Sequence, residues 1–364
     1  MSIPLLDLKA QYHTLSKEIL AAITDVLASG EYVMGGNVRA LENSIAQMCE
    51  VKHGIGVASG TDALLLSLIA LGIGQGDEVI TTPYTFFSTA EVISKVQGTP
   101  VFVDIDPRTF NLDVKLVEKK ITSRTKAILP VHIFGQTADL DELLELCAKY
   151  KLQMVEDACQ AIGAHYKGRP AGSLGSTGCF SFYPTKNLGG YGDGGMIVTN
   201  DDTLADRLRV LRVHGSRQRY YHTVPGYNSR LDEIQAAVLR VKLKYLAQWN
   251  EARRARAALY DQLLKESAIE TPHVEAWNES VYHLYVVRSK ERDRLKSRLA
   301  QAGISSGVYY PLPLHLQEVY KALGYQYGDL PEAERTSCEA LALPLYPEMT
   351  ETKVRQVVKV LLES

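Results

Sequence analysis

The chain has 364 residues with 40 Lys+Arg against 42 Asp+Glu, a net charge of −2 with His neutral. No run of basic residues offers a nucleic-acid stripe, so no nucleic-acid partner is expected. The longest apolar stretch, 63–73, is interrupted by Ser67 and Gly72 and falls short of the ~20 residues of a membrane span, so no membrane association is expected either. Hydrophobic content of 46% with 23% charged residues suits a globular chain, and its length suits two domains.

The first residues, Met1-Ser2-Ile3-Pro4-Leu5-Leu6-Asp7, reach an acidic residue before a signal-peptide core could form, so a cytoplasmic location is expected. Five cysteines (Cys49, Cys147, Cys159, Cys179, Cys338) include no Cys-x-x-Cys pair, which predicts core thiols and neither a disulfide framework nor a metal site. From 55 to 158, short β-branched runs alternate with helical periods, the pattern of stacked βαβ units and a mainly parallel sheet. Strands are predicted at 55–59, 78–81, 100–103, 127–131 and 154–157, with helices beginning near Thr61, Phe86, Asp113 and Asp139. Two further strands, 178–183 and 195–199, flank a Gly-rich loop. A long helix is predicted from near Ser229, with Leu231, Ile234, Val238, Val241 and Tyr245 on one face. The Arg/Ala-rich stretch 250–258 reads as a continuing helix. A boundary there gives a large domain over 1–249 and a smaller α+β domain over 250–364, with a strand at 282–288, a helix at 291–302 and a last helix from Thr350.

Gly190-Tyr191-Gly192-Asp193-Gly194-Gly195 satisfies the dinucleotide pattern G-x-G-x-x-G, but a strand leaves it where a nucleotide-binding helix should begin. Its glycines read as a tight, positive-φ loop that passes close to something bulky, or as a plain turn. Ser59-Gly60-Thr61-Asp62 opens an apolar helix, where free N–H groups and the helix dipole suit a phosphate; an ordinary N-cap explains the same residues. Asp157 closes a buried strand at the edge where open α/β sheets bind ligands, although a structural ion pair would account for it equally. Gln160 follows three residues later. Lys186 stands between a strand and the glycine loop, positioned by Pro184 and Gly189, and so becomes a candidate for Schiff-base chemistry, whereas most loop lysines are solvated charges. An anion site, a carboxylate at a strand end and a positioned lysine are together the supports that pyridoxal phosphate requires.

In these segments the sequence resembles the fold type I, pyridoxal-phosphate-dependent nucleotide-sugar aminotransferases of the DegT/StrS type. The likeness is carried by Ser59-Gly60-Thr61-Asp62-Ala63-Leu64, Val155-Glu156-Asp157-Ala158-Cys159-Gln160, Ser181 to Gly189, Gly192 to Gly195 and Gly226 to Asp232. It implies an α/β fold with a smaller C-terminal domain and pyridoxal 5'-phosphate as cofactor. Lys186 would hold the cofactor through an imine, Asp157 would pair with its pyridine nitrogen and Gln160 would meet its 3-hydroxyl. Gly60, Thr61 and Ser181 would bind the phosphate, Phe86 would stack on the ring, and Asn228 would reach the phosphate of the other subunit of a homodimer. Tyr183, Arg230, Tyr309, Tyr310 and His315 match positions near the sugar nucleotide.

The form of the lysine motif further implies transfer from L-glutamate to C3 of a dTDP- or UDP-linked 3-keto hexose, leaving 2-oxoglutarate. A 4-keto sugar aminotransferase, and a cofactor-binding regulator without turnover, are the competing readings. Dehydratases of the same fold carry histidine in place of the lysine, which Lys186 argues against.

Overall fold

The computed structural model describes residues 2–363. Helices α1 (Leu8–Ser29) and α2 (Gly36–Met48) come first, and neither follows from the predicted elements. The β–α alternation then runs as expected through β1 (His53–Val57), α3 (Gly60–Ala70), β2 (Glu78–Thr81), α4 (Ser88–Lys95), β3 (Thr99–Phe102), α5 (Val114–Val117), β4 (Thr125–Leu129), α6 (Leu140–Tyr150) and β5 (Gln153–Asp157). The helix predicted from Asp113 is only one α-turn and a 3₁₀ turn. A small hairpin, β6 (His165–Tyr166) with β7 (Arg169–Pro170), precedes β8 (Thr177–Ser181) and β9 (Gly195–Thr199).

Seven strands form one sheet in the order β1-β9-β8-β5-β4-β2-β3. All run parallel except β9, which is antiparallel to both its neighbours. Successive side chains serve opposite faces. Thus Cys179 and Ile197 join the core built on α3, whereas Phe180, Met196 and Val198 join Val38, Leu41 and Ile45 of α2 on the other side. Helix α3 is apolar nearly all round because α4 and α7 (Asp202–Leu211) cover the side that the sheet does not.

After the hairpin β10 (Ser216–Gln218) and β11 (Tyr221–His222), the single long helix predicted from Ser229 is two. Helix α8 (Glu233–Leu243) starts at the Asp232 cap, and α9 (Leu246–Leu264) starts after a break at Lys244–Tyr245. The apolar rhythm crosses the break because Tyr245 and Trp249 still pack on Leu15 and Ile19 of α1. Strand β12 (Asn278–Glu279) pairs with β6, and β13 (Tyr285–Arg288) pairs antiparallel with β14 (Ala340–Leu343). Helices α10 (Arg292–Gln301), α11 (Pro331–Glu339) and α12 (Glu351–Leu362) complete the chain. Ile3 bridges to Ile304 and packs with Tyr260, Val287, Leu299 and Val357, so the N-terminal segment lies on the C-terminal core. Among the described residues no helix is long and apolar enough to cross a membrane. Cys49, Cys147 and Cys179 are buried and Cys159 partly so; Cys338 departs from expectation and is exposed.

Candidate active site

A cavity of about 630 Å³ opens at the C-terminal ends of β5 and β8 and at the N-terminus of α3. Ser59 caps that helix by accepting the Asp62 N–H at 3.0 Å. The first N–H groups of an α-helix have no intrahelical partner, so those of Gly60 and Thr61 are left for the cavity they line. A Cβ on Gly60 would stand 2.6 Å from the Ser181 Cβ and 2.9 Å from the Cys159 sulfur, so glycine is what lets the helix end pack closely against Ser181 and Cys159. Phe86, also on the cavity, keeps 59% of its surface exposed and offers an uncovered ring.

Asp157 ends β5 and is nearly buried. Its Oδ2 accepts the Thr89 hydroxyl at 2.8 Å and its Oδ1 accepts the Cys159 N–H at 3.2 Å. Thr85 lies 3.2 Å from the Thr89 oxygen and must be the donor there, because the Thr89 proton is committed to Asp157. Gln160 accepts the Phe134 N–H at 2.8 Å through Oε1, which turns its Nε2 donor towards Tyr310 Oη at 3.0 Å and the cavity. Such a donor suits an anionic ring oxygen.

Lys186 follows β8 on a turn closed by its own N–H donating to the Tyr183 carbonyl at 2.9 Å. Loss of hydration pushes its ammonium pKa below the ordinary lysine value, while Cys159 and Asp157 pull it back up. The glycines beyond it are needed for close approach and not for left-handed backbone: none of Gly189 to Gly195 has positive φ. A Cβ on Gly194 would stand 2.9 Å from Leu231 Cδ1, and one on Gly189 or Gly195 would strike the Pro184 or Ser59 carbonyl. Lys242 donates from Nζ to the Gly189 carbonyl at 2.7 Å and steadies the same loop.

Tyr183, Tyr309 and Tyr310 also line the cavity, so ten of the thirteen residues singled out in the sequence meet there. The other three stand elsewhere. Asn228 is exposed and Arg230 partly so, on the segment leading to α8. His315 is buried with Nε2 3.0 Å from the Glu334 carboxylate, a pairing that holds it off the cavity lining. Two contributors went unread: Thr89, hidden inside an apolar helix face, and His283. The latter lines the cavity from the segment before β13, with Nδ1 3.3 Å from Asn187 Oδ1. A histidine ahead of a strand carries no local signal of that contact, which spans 96 positions.

Residues 13–362 match the DegT/DnrJ/EryC1/StrS aminotransferase family. The chain belongs to this family. It is 50% identical to a protein of Geobacillus stearothermophilus named pleiotropic regulatory protein, over 100% of this chain and 98% of the relative. It is 44% identical to the UDP-N-acetyl-3-dehydro-alpha-D-glucosamine 3-aminotransferase of Acidithiobacillus ferrooxidans, over 99% and 97%. Among solved family members, S. venezuelae DesV in complex with a ketimine intermediate superposes with a TM-score of 0.97 at 46% identity, covering 99% of this chain and 97% of DesV. NtdA of Bacillus subtilis, with bound cofactor PMP, superposes with a TM-score of 0.89 at 32% identity, covering 95% and 81%. The mainly parallel α/β architecture is therefore that of the family's aminotransferases.

Proposed function

We propose that the protein is a pyridoxal 5'-phosphate-dependent aminotransferase that moves the amino group of L-glutamate to C3 of a 3-keto hexose linked to UDP or dTDP. The observation that carries this reading is the single cavity on which the α3 N-terminus, Asp157, Gln160, Phe86 and Lys186 converge. These residues fit the cofactor, because the bare N–H groups at Gly60 and Thr61 suit its phosphate and the Gln160 amide is already turned to donate. Relatives that act at C3 of UDP- and dTDP-linked sugars support the substrate class.

The chemistry supplied by bound pyridoxal phosphate is an electron sink for carbanion charge next to nitrogen. The protein does the rest. Gly60, Thr61 and Ser181 bind the phosphate, Phe86 covers the ring and Gln160 donates to its 3-oxygen. Asp157 keeps the proton on the pyridine nitrogen. Lys186 anchors the cofactor covalently and moves the proton between carbon atoms at Nζ, a task suited to an amine whose ammonium form burial disfavours. Tyr183, Tyr309 and Tyr310 orient the sugar nucleotide. In this reading the large unit, 1–249, holds the cofactor and the smaller, 250–364, closes the substrate side, in a cytoplasmic homodimer. Exposed Asn228 reaches the phosphate of the other protomer, with Arg230 beside it. Mixed Lys186→Ala and Asn228→Ala chains should then regain activity that neither has alone.

The test is direct. The purified protein should be yellow, bleach with L-glutamate, regain colour with a 3-keto sugar nucleotide and yield a product whose amine NMR places at C3. An amine at C4 would shift the regiochemistry alone. The 50% identical regulatory protein favours a second reading, cofactor binding without turnover, and a yellow protein that glutamate never bleaches would support it.

A further inference from the structure

We infer that Lys242 is a positioning residue for Lys186: from α8 its ammonium grips the segment 189–191 and so fixes the turn on which Lys186 stands. The inference rests on the proposed role of Lys186 and deepens it. Lys242 is fully buried, yet among the described residues no carboxylate forms an ion pair with it, and Glu348 acts on it through charge alone. A cation taken out of water without a bonded partner costs stability, and an apolar side chain of similar length would fill the space without that cost. What the ammonium has instead is two holds on one short stretch. Nζ donates to the Gly189 carbonyl at 2.7 Å and stands 4.2 Å from the centre of the Tyr191 ring. Gln235, two turns earlier on the same face of α8, accepts the Tyr191 N–H at 2.7 Å.

The grip passes to Lys186 through the backbone. Gly190 donates its N–H to the Phe182 carbonyl at 2.8 Å, which closes 182–190 into a loop, and within it Lys186 donates its own to the Tyr183 carbonyl at 2.9 Å. Gly189 lies against the same carbonyls: a Cβ there would strike that of Pro184 and stand 2.8 Å from the Tyr183 oxygen. A shift of Gly189 therefore moves the groups that hold Lys186. Charge does not carry the effect, because the groups acting on the Lys186 ammonium are Cys159 and Asp157. Burial pushes the Lys242 pKa down to about 8, and the charge of Glu348 pulls it back up. Arg253 of α9 and Asp7 ahead of α1 act in turn on Glu348. Tyr191 meets Tyr12 of α1 edge-on, and burial raises its hydroxyl pKa, so it stays neutral while Lys242 titrates. The hold is at full strength below about pH 8 and weakens above it. A neutral amine there still donates to Gly189 but loses the charge that strengthens that bond and draws it to the ring.

The experiment follows amide hydrogen exchange of the full cofactor-free chain on either side of that pH, as protection factors, which remove the intrinsic pH dependence. In the wild type the Lys186 and Gly190 amides should lose about tenfold in protection as pH rises through about 8, while the β9 amides keep theirs. Lys242→Met should show the low protection on both sides, and Lys242→Arg, charged throughout, the high one. Wild-type protection that stays flat through this range would overturn the inference without any variant, and so would a Lys242→Met loop as protected as the wild type. With pyridoxal phosphate bound, Lys242→Met should lower kcat about tenfold at unchanged KM for glutamate, because a misplacement of about 1 Å can cost on the order of 10²-fold. Lys242→Arg should restore the rate. A raised KM with kcat intact would assign Lys242 to substrate binding and overturn the positioning role. Borohydride reduction of the wild-type cofactor complex separates this from the parent reading. No pyridoxyl label on Lys186 would sink the proposed function, whereas a label there without the pH step sinks only the role of Lys242.

Discussion

Glu156 and Asp157 are consecutive residues of β5 and therefore face opposite sides of the sheet. On one side, Glu156 accepts from His132 Nε2 at 2.9 Å and from the N–H groups of Gly172, Leu174 and Gly175 at 2.8, 2.7 and 2.6 Å. A carboxylate has about four acceptor positions, so this one is saturated. On the other side, among the described residues Asp157 receives only the Thr89 hydroxyl and the Cys159 N–H, and it borders the cavity. The same division separates the histidines. His132 spends both nitrogens on Glu156 and the Ala138 N–H, whereas His283 keeps one free over the cavity. Full satisfaction marks a charge that holds the fold; a shortfall on the cavity side marks one held ready for a ligand.

Removing Lys186 should have the largest effect, because it deletes both the covalent anchor and the proton carrier. Lys186→Ala is expected to lower turnover on the order of 10⁴-fold, since general acid–base catalysis alone is worth up to that much. Borohydride should then find no pyridoxyl-lysine in the peptide map. A label on another lysine would break the contrast between cavity and frame.

The paired carboxylates sharpen the contrast further. Asp157→Asn should depress kcat on the order of 10²-fold or more, with little change in the urea midpoint or in KM for glutamate, because it weakens the electron sink and leaves the sheet intact. Glu156→Gln should do the reverse. It places an amide N–H against donors already committed to a carboxylate, a loss on the order of 3 kcal/mol in stability, while the folded fraction keeps most of its turnover. Equal behaviour of the two variants would show that saturation does not distinguish their roles.

Acid should expose the same asymmetry. Burial alone would push the Glu156 carboxyl pKa up, but His132 and the N–H groups of Gly175 and Gly172 outweigh it and hold the group below its ordinary value. A depressed folded-state pKa means stability that is complete above the unfolded value, about 4.3, and is lost as pH falls through the lower folded one. Urea midpoints of the wild type should drop steeply below that point, and Glu156→Gln should flatten the slope. Parallel curves would remove Glu156 from the account of acid unfolding.

What the sequence disclosed follows the range of the interactions concerned. Strands β2 and β9 stand where their β-branched runs place them, and the α3 N-terminus is written in four consecutive residues, Ser59 to Asp62. Lys186 and Asp157 were legible because punctuation or a strand end fixes each locally. Their supports were not. Thr89 reaches Asp157 across 68 positions and Asn187 reaches Asn250 across 63, and no spacing rule links such pairs. The glycine loop was half legible: crowding by Pro184, Leu231 and Ser59 explains it, while the expected positive φ is absent. The break between α8 and α9 escaped because packing on α1 keeps the apolar period running through it.

The smallest expected effect falls on Thr89, and it tests the contrast most closely. Among the described residues its hydroxyl is the side-chain oxygen that donates to Asp157, and it is itself held by Thr85 inside a buried helix face. Thr89→Val keeps the shape and the β-branch, so α4 should pack unchanged, but the carboxylate loses a hydrogen bond worth roughly 1 kcal/mol. Since that bond fixes the orientation of Oδ2, its loss should make the carboxylate a looser partner for the pyridine nitrogen. A fall in kcat of about fivefold at constant KM for glutamate is expected, because 1.4 kcal/mol corresponds to tenfold. Thr89→Ser retains the hydroxyl and should recover most of the rate. A cavity left by the missing methyl would impair Ser more than Val, so the order of the two variants separates a positioning role from a packing one. Were Ser the slower, Asp157 would be held by Cys159 and the strand alone, and the shortfall that sets it apart from Glu156 would be one donor deeper.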